Sequence, residues 1–121
     1  MESYTNVIMI LFTADQNNKV QSHLDKMDEI GLNYHREDIL KRMVNSAVYA
    51  EDYNYASKFN KELTELLPDK PDYWIDLALS YAYLGEKEKA VETAKKVGEF
   101  GEDYAEQSDL FIQDVLAGRF D

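Results

Sequence analysis

Residues 71–98 read PDYWIDLALSYAYLGEKEKAVETAKKVG. Trp74, Leu77, Ala78 and Tyr81 recur at i, i+3, i+4 and i+7, the spacing of one face of an α-helix. Ile75, Leu79 and Ala82 lie on a second apolar face of the same segment. A helix that is apolar on two sides is buried from two directions, so it has a neighbour on each. Gly85 is placed to end this helix, and Ala90, Ala94 and Val97 then mark another, closed by Gly98. A short turn between helices of similar length makes them antiparallel neighbours. The segment therefore predicts a helical hairpin over 71–98, with Trp74 as its large buried aromatic.

The same pattern extends in both directions. Upstream, Leu40, Met43, Val44 and Ala47 share one face. Ala56, Phe59, Leu63 and Leu66 share the next, which stops at Pro68, and the two predict a hairpin over 37–67. Downstream, Tyr104, Ser108, Phe111, Ile112 and Val115 form a further face before Gly118. At the N-terminal end Tyr4, Val7, Ile8 and Leu11 precede the polar break Asp15-Gln16-Asn17-Asn18, and Val20, Leu24 and Met27 lead to Gly31. The reading is all-α, about seven helices of 12 to 15 residues. Val7-Ile8-Met9-Ile10 also has the composition of a buried strand, so that stretch stays open between the two.

Sliding the chain by 34 residues places Leu40 on Trp74, Met43 on Leu77, Val44 on Ala78, Ala47 on Tyr81, Tyr49 on Tyr83 and Ala56 on Ala90. The turn Glu51-Asp52 falls on Gly85-Glu86. A self-similarity of this period marks stacked helix hairpins. In Trp74-x2-Leu77-Ala78-x2-Tyr81, Ala90, and Pro68 twelve residues after Ala56, the chain resembles the tetratricopeptide repeat family. Asn60 and Ala94 stand where that pattern carries an aromatic, and Glu102 where it carries a second proline. The resemblance implies a short right-handed solenoid of antiparallel hairpins, with a degenerate hairpin at 3–34, repeats at 37–70 and 71–104, and a capping helix at 105–121. It also implies a concave groove lined by the first helix of each pair. The groove positions are Asp38, Lys41, Arg42, Asn45 and Tyr49 in one repeat and Asp72, Ile75, Asp76, Leu79 and Tyr83 in the next. The cap adds Glu106, Asp109, Leu110 and Gln113. Lys41 and Asn45 match half of a clamp that some members use for a C-terminal carboxylate. Asp76 and Leu110 replace the other half, and Asp76 repels a carboxylate.

Charge narrows the partner. Thirteen Lys and Arg stand against 24 Asp and Glu, a net −11, which argues against nucleic acid and against an anionic membrane surface. Residues 71–104 carry a net −4 and 105–121 a net −3, so the acidity grows toward the C-terminal end. A basic or mixed apolar-basic protein segment is the ligand such a surface steers. Val7 to Phe12, six apolar residues, is far short of the ~20 a membrane helix needs. It also lacks the basic start and cleavage site of a signal peptide, so the expected location is cytoplasmic.

Nothing in the sequence advertises chemistry. There is no cysteine, and His23 and His35 fall in different segments with no metal-ligand spacing. No calcium loop, phosphate loop or nucleophile elbow occurs. The expectation is a non-catalytic protein- or peptide-binding module or adaptor with no cofactor and no metal. Its groove residues are Lys41, Arg42, Asn45, Tyr49, Asp72, Ile75, Asp76, Leu79 and Tyr83. Two alternatives are a homodimer sealed by the N-terminal segment, which is apolar on every helical face, and a small secretion-type chaperone.

Overall fold

The computed structural model describes residues 2–121. Among them are seven α-helices and no strand: α1 (Glu2–Thr13), α2 (Val20–Glu29), α3 (Glu37–Tyr49), α4 (Tyr53–Leu66), α5 (Pro71–Tyr83), α6 (Lys87–Gly98) and α7 (Glu102–Leu116). A single 3-10 turn, Asn17–Lys19, leads into α2. The open choice at residues 7–10 resolves as helix. None of these helices is long and apolar enough to cross a membrane.

Local chemistry sets the boundaries. The Asp52 side chain accepts a hydrogen bond from the Tyr55 amide and so caps α4. Pro71 opens α5, where its missing N–H costs nothing. Gly85 turns the α5–α6 corner at φ 78°. Thirty-four residues earlier Glu51 takes φ 56° at the corresponding corner between α3 and α4. A left-handed conformation costs a residue with a Cβ roughly 1–2 kcal/mol. The corner geometry is thus kept even where the sequence does not supply glycine. Gly98 closes α6, as its place in the sequence predicts. It is the last helical residue, and a Cβ there would lie 3.6 Å from the Ala105 Cα and the Ser108 side chain of α7. The turn follows at Glu99 and Phe100, and Gly101, φ 153°, precedes α7.

From α3 to α7 every helix packs against the next, which places two hairpins, α3–α4 and α5–α6, and a closing helix in order. The N-terminal pair joins differently. α1 packs on both α2 and α3, so α3 takes α1 as a neighbour. Ile8, Leu11 and Phe12 of α1 enter one buried cluster with Leu24 and Met27 of α2, Leu40 and Met43 of α3, and Phe59 and Leu63 of α4. Two neighbours therefore cover most of an apolar run that seemed too broad for one. Ile10, 63 % exposed, is the member left out. A smaller cluster of Ala82, Ala90 and Val115 joins α5, α6 and α7, and Phe111 and Phe120 pack on it.

Trp74 corrects the reading of α5. It is half-buried: its indole N–H donates to the Pro68 carbonyl at 3.0 Å, and the Lys96 ammonium sits 5.7 Å from its ring centre. The buried aromatic is its neighbour Tyr73, whose hydroxyl donates to the Glu37 carboxylate. The inward face runs through Tyr73, Leu77 and Ser80, one residue round from the face centred on Trp74.

The linker between α2 and α3 is held by His35, whose ring nitrogens lie 2.8 Å from Glu62 of α4 and 3.2 Å from Asp28 of α2. Burial alone would push this imidazole down. The hydrogen bonds and charges of Glu62 and Asp28 outweigh it, and the pKa rises above the usual 6.5. A raised pKa means that protonated His35 stabilises the fold. With both carboxylates ionised, that contribution is complete below about pH 6.5 and fades as pH climbs through the raised value. The melting temperature should accordingly fall between about pH 6 and pH 8. His35→Gln should remove this part of the slope, and a slope identical in both proteins would assign it to another group.

Candidate functional site

The first helices of the two hairpins, α3 and α5, and the closing helix α7 carry the predicted groove positions. Two cavities open there. The larger, ≈350 Å³, lies between α3, α4 and α5 and is walled by Val44, Val48, Leu79 and Tyr83, with Asn60 and Asp76 among its polar members. The smaller, ≈170 Å³, lies between α5, α6 and α7, among Ile75, Leu79, Ala94, Val97 and Phe111. Leu79 lines both.

The cavities correspond under the 34-residue self-similarity of the sequence. A shift of 34 residues carries Val44, Asn45 and Asn60 of the larger onto Ala78, Leu79 and Ala94 of the smaller. Asn60 and Ala94 are the two positions where the resembling pattern has an aromatic. A side chain without that bulk leaves space that neighbouring helices, already in contact, do not fill by collapse.

The structure brings some predicted residues together and separates others. Asn45, Asp76, Leu79 and Tyr83 meet at the larger cavity, and Ile75 and Leu79 at the smaller. Lys41 and Asp72 are exposed on α3 and α5 and line neither. Tyr49, 77 % exposed, also lines neither. Arg42 is removed from the groove: its guanidinium donates to Asn6 Oδ1 at 3.0 Å and lies 3.6 Å from Met9 Sδ, both on α1. It turns that way because α1 packs against α3, a neighbour the repeat register did not foresee. On α7 the expected Glu106, Asp109, Leu110 and Gln113 are exposed, and Gln107 and Phe111 line the cavity in their place.

Tyr83 is fixed from two sides. Its ring stacks on Tyr53 at 4.7 Å and meets Phe120 edge-on at 5.3 Å. Phe120 in turn packs on Phe111, so the segment after α7 folds back across the end of α5. Such ring pairs hold an aromatic in place beyond what its burial alone supplies. Tyr53 and Phe120 were not foreseen as supports for the groove, and only the density of aromatics in these segments hinted at them.

Asp76 gives the larger cavity its charge. It keeps contact with solvent, yet the surrounding helices remove enough water to push its carboxyl above the ordinary aspartate range, and Asp72 one turn away adds to the shift. An ionised carboxylate held under such conditions gains from any donor or cation brought beside it. Among the described residues no group of three or more His, Asp or Glu is arranged to hold a metal ion.

No protein-family model matches the chain, and no curated protein matches it.

Proposed function

We propose that this chain is a non-catalytic peptide-binding module of helical-repeat type, similar to tetratricopeptide repeats. In this reading it holds a partner segment with an apolar anchor flanked by Lys or Arg along the α3–α5–α7 face. The observation that carries it is the pair of repeat-related cavities meeting at Leu79, with Asp76 in the wall of the larger and Asp72 one turn away. Apolar burial in the cavities supplies affinity, at roughly 25 cal/mol per Å² before association costs. The carboxylates set the rate of encounter and the choice of partner.

Synthetic peptides with one Leu or Phe between Lys or Arg residues, compared with Glu-flanked versions, test this directly. The basic peptides should bind and the acidic ones should not, and binding should weaken between about 50 and 500 mM salt. Asp72→Lys with Asp76→Lys should slow association of the basic peptides by about tenfold in a protein that still folds. Equal binding of basic and acidic peptides, or an association rate untouched by the double substitution, would move the site elsewhere.

A further inference from the structure

We infer that the cavity between α3, α4 and α5 is a subsite for a primary carboxamide, a glutamine or asparagine side chain of the bound segment, paired edge to edge with the amide of Asn60. This rests on the peptide-groove reading and adds which side chain the groove selects.

Asn60 is 1 % exposed, lines the cavity, and has no hydrogen-bond partner at either Oδ1 or Nδ2. Buried polar side chains are almost always paired. Four others follow the rule: Thr64, Ser80, Thr93 and Ser108 each donate to a carbonyl, those of Lys61, Asp76, Lys89 and Ala94. Asn17 has one bare oxygen, but its nitrogen donates to Asp52. Asn60 differs in having both edges unpaired, at a residue in the wall of a cavity. A leucine of nearly the same shape would satisfy the packing of α4 without that cost, so the fold gives no reason for an amide.

The chemistry of the bare edge selects its complement. An asparagine side chain presents a donor and an acceptor side by side. An ammonium or guanidinium offers donors alone and leaves Nδ2 unpaired. A carboxylate accepts only, leaves Oδ1 unpaired, and meets the charge of Asp76. A trans backbone amide points its N–H and C=O in opposite directions and cannot close on both edges at once. A primary carboxamide closes on both, and its second N–H is free for Asp76 in the same wall. The methylenes behind it then lie among Val44, Val48 and Leu79. Lysines and arginines of the segment remain outside, at the acidic rim.

Butyramide, a propyl chain ending in a carboxamide, is the probe, with butyrate, butylammonium and propylguanidinium as controls. The side-chain NH2 resonances of Asn60 report binding. Butyramide should shift them and bind about tenfold more tightly than any control, the worth of one completed hydrogen bond. Asn60→Leu should fold, melt about 5 °C higher because an unpaired buried amide is gone, and lose the preference for butyramide. Asn60→Ser serves the same comparison should the leucine not fold. A cation binding as tightly as the amide, no shift at Asn60, or a preference that survives both substitutions overturns the subsite. Loss of the subsite while basic peptides still bind in an Asp72- and Asp76-dependent way leaves the groove reading standing. Binding of butyramide without binding of peptides sinks the groove reading instead.

Discussion

Phe59→Ala should lower the free energy of unfolding by about 3–5 kcal/mol, the range for deleting a large buried aromatic. Phe59 is wholly buried on α4, the helix that packs against both α3 and α5. It belongs to the cluster that also takes in α1 and α2, and it stacks on Tyr55 at 5.8 Å. Tyr55 in turn meets Phe12 of α1 edge-on at 5.5 Å. The ring therefore ties the N-terminal pair to the α3–α4 hairpin, and its removal leaves space in a cluster drawn from helices that already support one another, so collapse around it is limited. For a chain of this size the loss should drop the melting temperature by well over ten degrees. Denaturant unfolding of the two proteins, with equal slopes, measures it. A loss under about 1 kcal/mol would mean that α4 is not the centre of the fold.

The same helix shows what was legible in the sequence. The 3.6-residue spacing of Ala56, Phe59, Leu63 and Leu66 placed α4 and most of its inward face: the first three are fully or almost fully buried, whereas Leu66 at the helix end is 47 % exposed. Hairpins, corners and the closing helix follow from such spacing and from the few glycines and prolines, since these report local backbone preference. Side-chain direction across helices does not follow from it. Trp74 and Tyr73 differ by one step of about 100°, and the resemblance favoured the tryptophan while packing chose the tyrosine. Arg42 was read into the groove by register alone. It lies against α1 because the N-terminal pair departs from the order of the later hairpins. Asn60 was visible only as an amide where an aromatic was expected. That it is buried, unpartnered and beside a cavity is a tertiary fact that no spacing encodes.

Electrostatic and apolar parts of the proposed groove separate by their kinetics. Reversing Asp72 and Asp76 removes a field that acts at a distance, so its effect should fall mainly on association and shrink as salt rises. Contacts that form only after docking act on dissociation. Leu79 is the residue on which the second kind of effect should be largest.

Leu79→Asp should weaken the binding of a basic-apolar peptide about 30- to 100-fold, almost entirely through faster dissociation. Leu79 is half-buried and lines both cavities, so an anchor seated in either one lies against it. Covering a leucine side chain is worth about 1.5–3 kcal/mol, a factor of roughly 10 to 100 in affinity. A carboxylate there also draws water into both cavities. It stands one turn from Asp76, whose own carboxyl is already pushed upward by burial and by Asp72, so a third acid raises the tendency of the group to take up protons. The fold should survive, because Leu79 lines the two cavities and the buried face of α5 runs through Tyr73, Leu77, Ala78 and Ala82. Leu79→Ala is the companion variant: it removes the contact without the charge and should lose about tenfold. Unlike the double lysine substitution, both losses should persist in high salt. Surface plasmon resonance at two salt concentrations reads all of these rates. If a folded Leu79→Asp protein releases the peptide no faster than wild type, the anchor does not lie in these cavities.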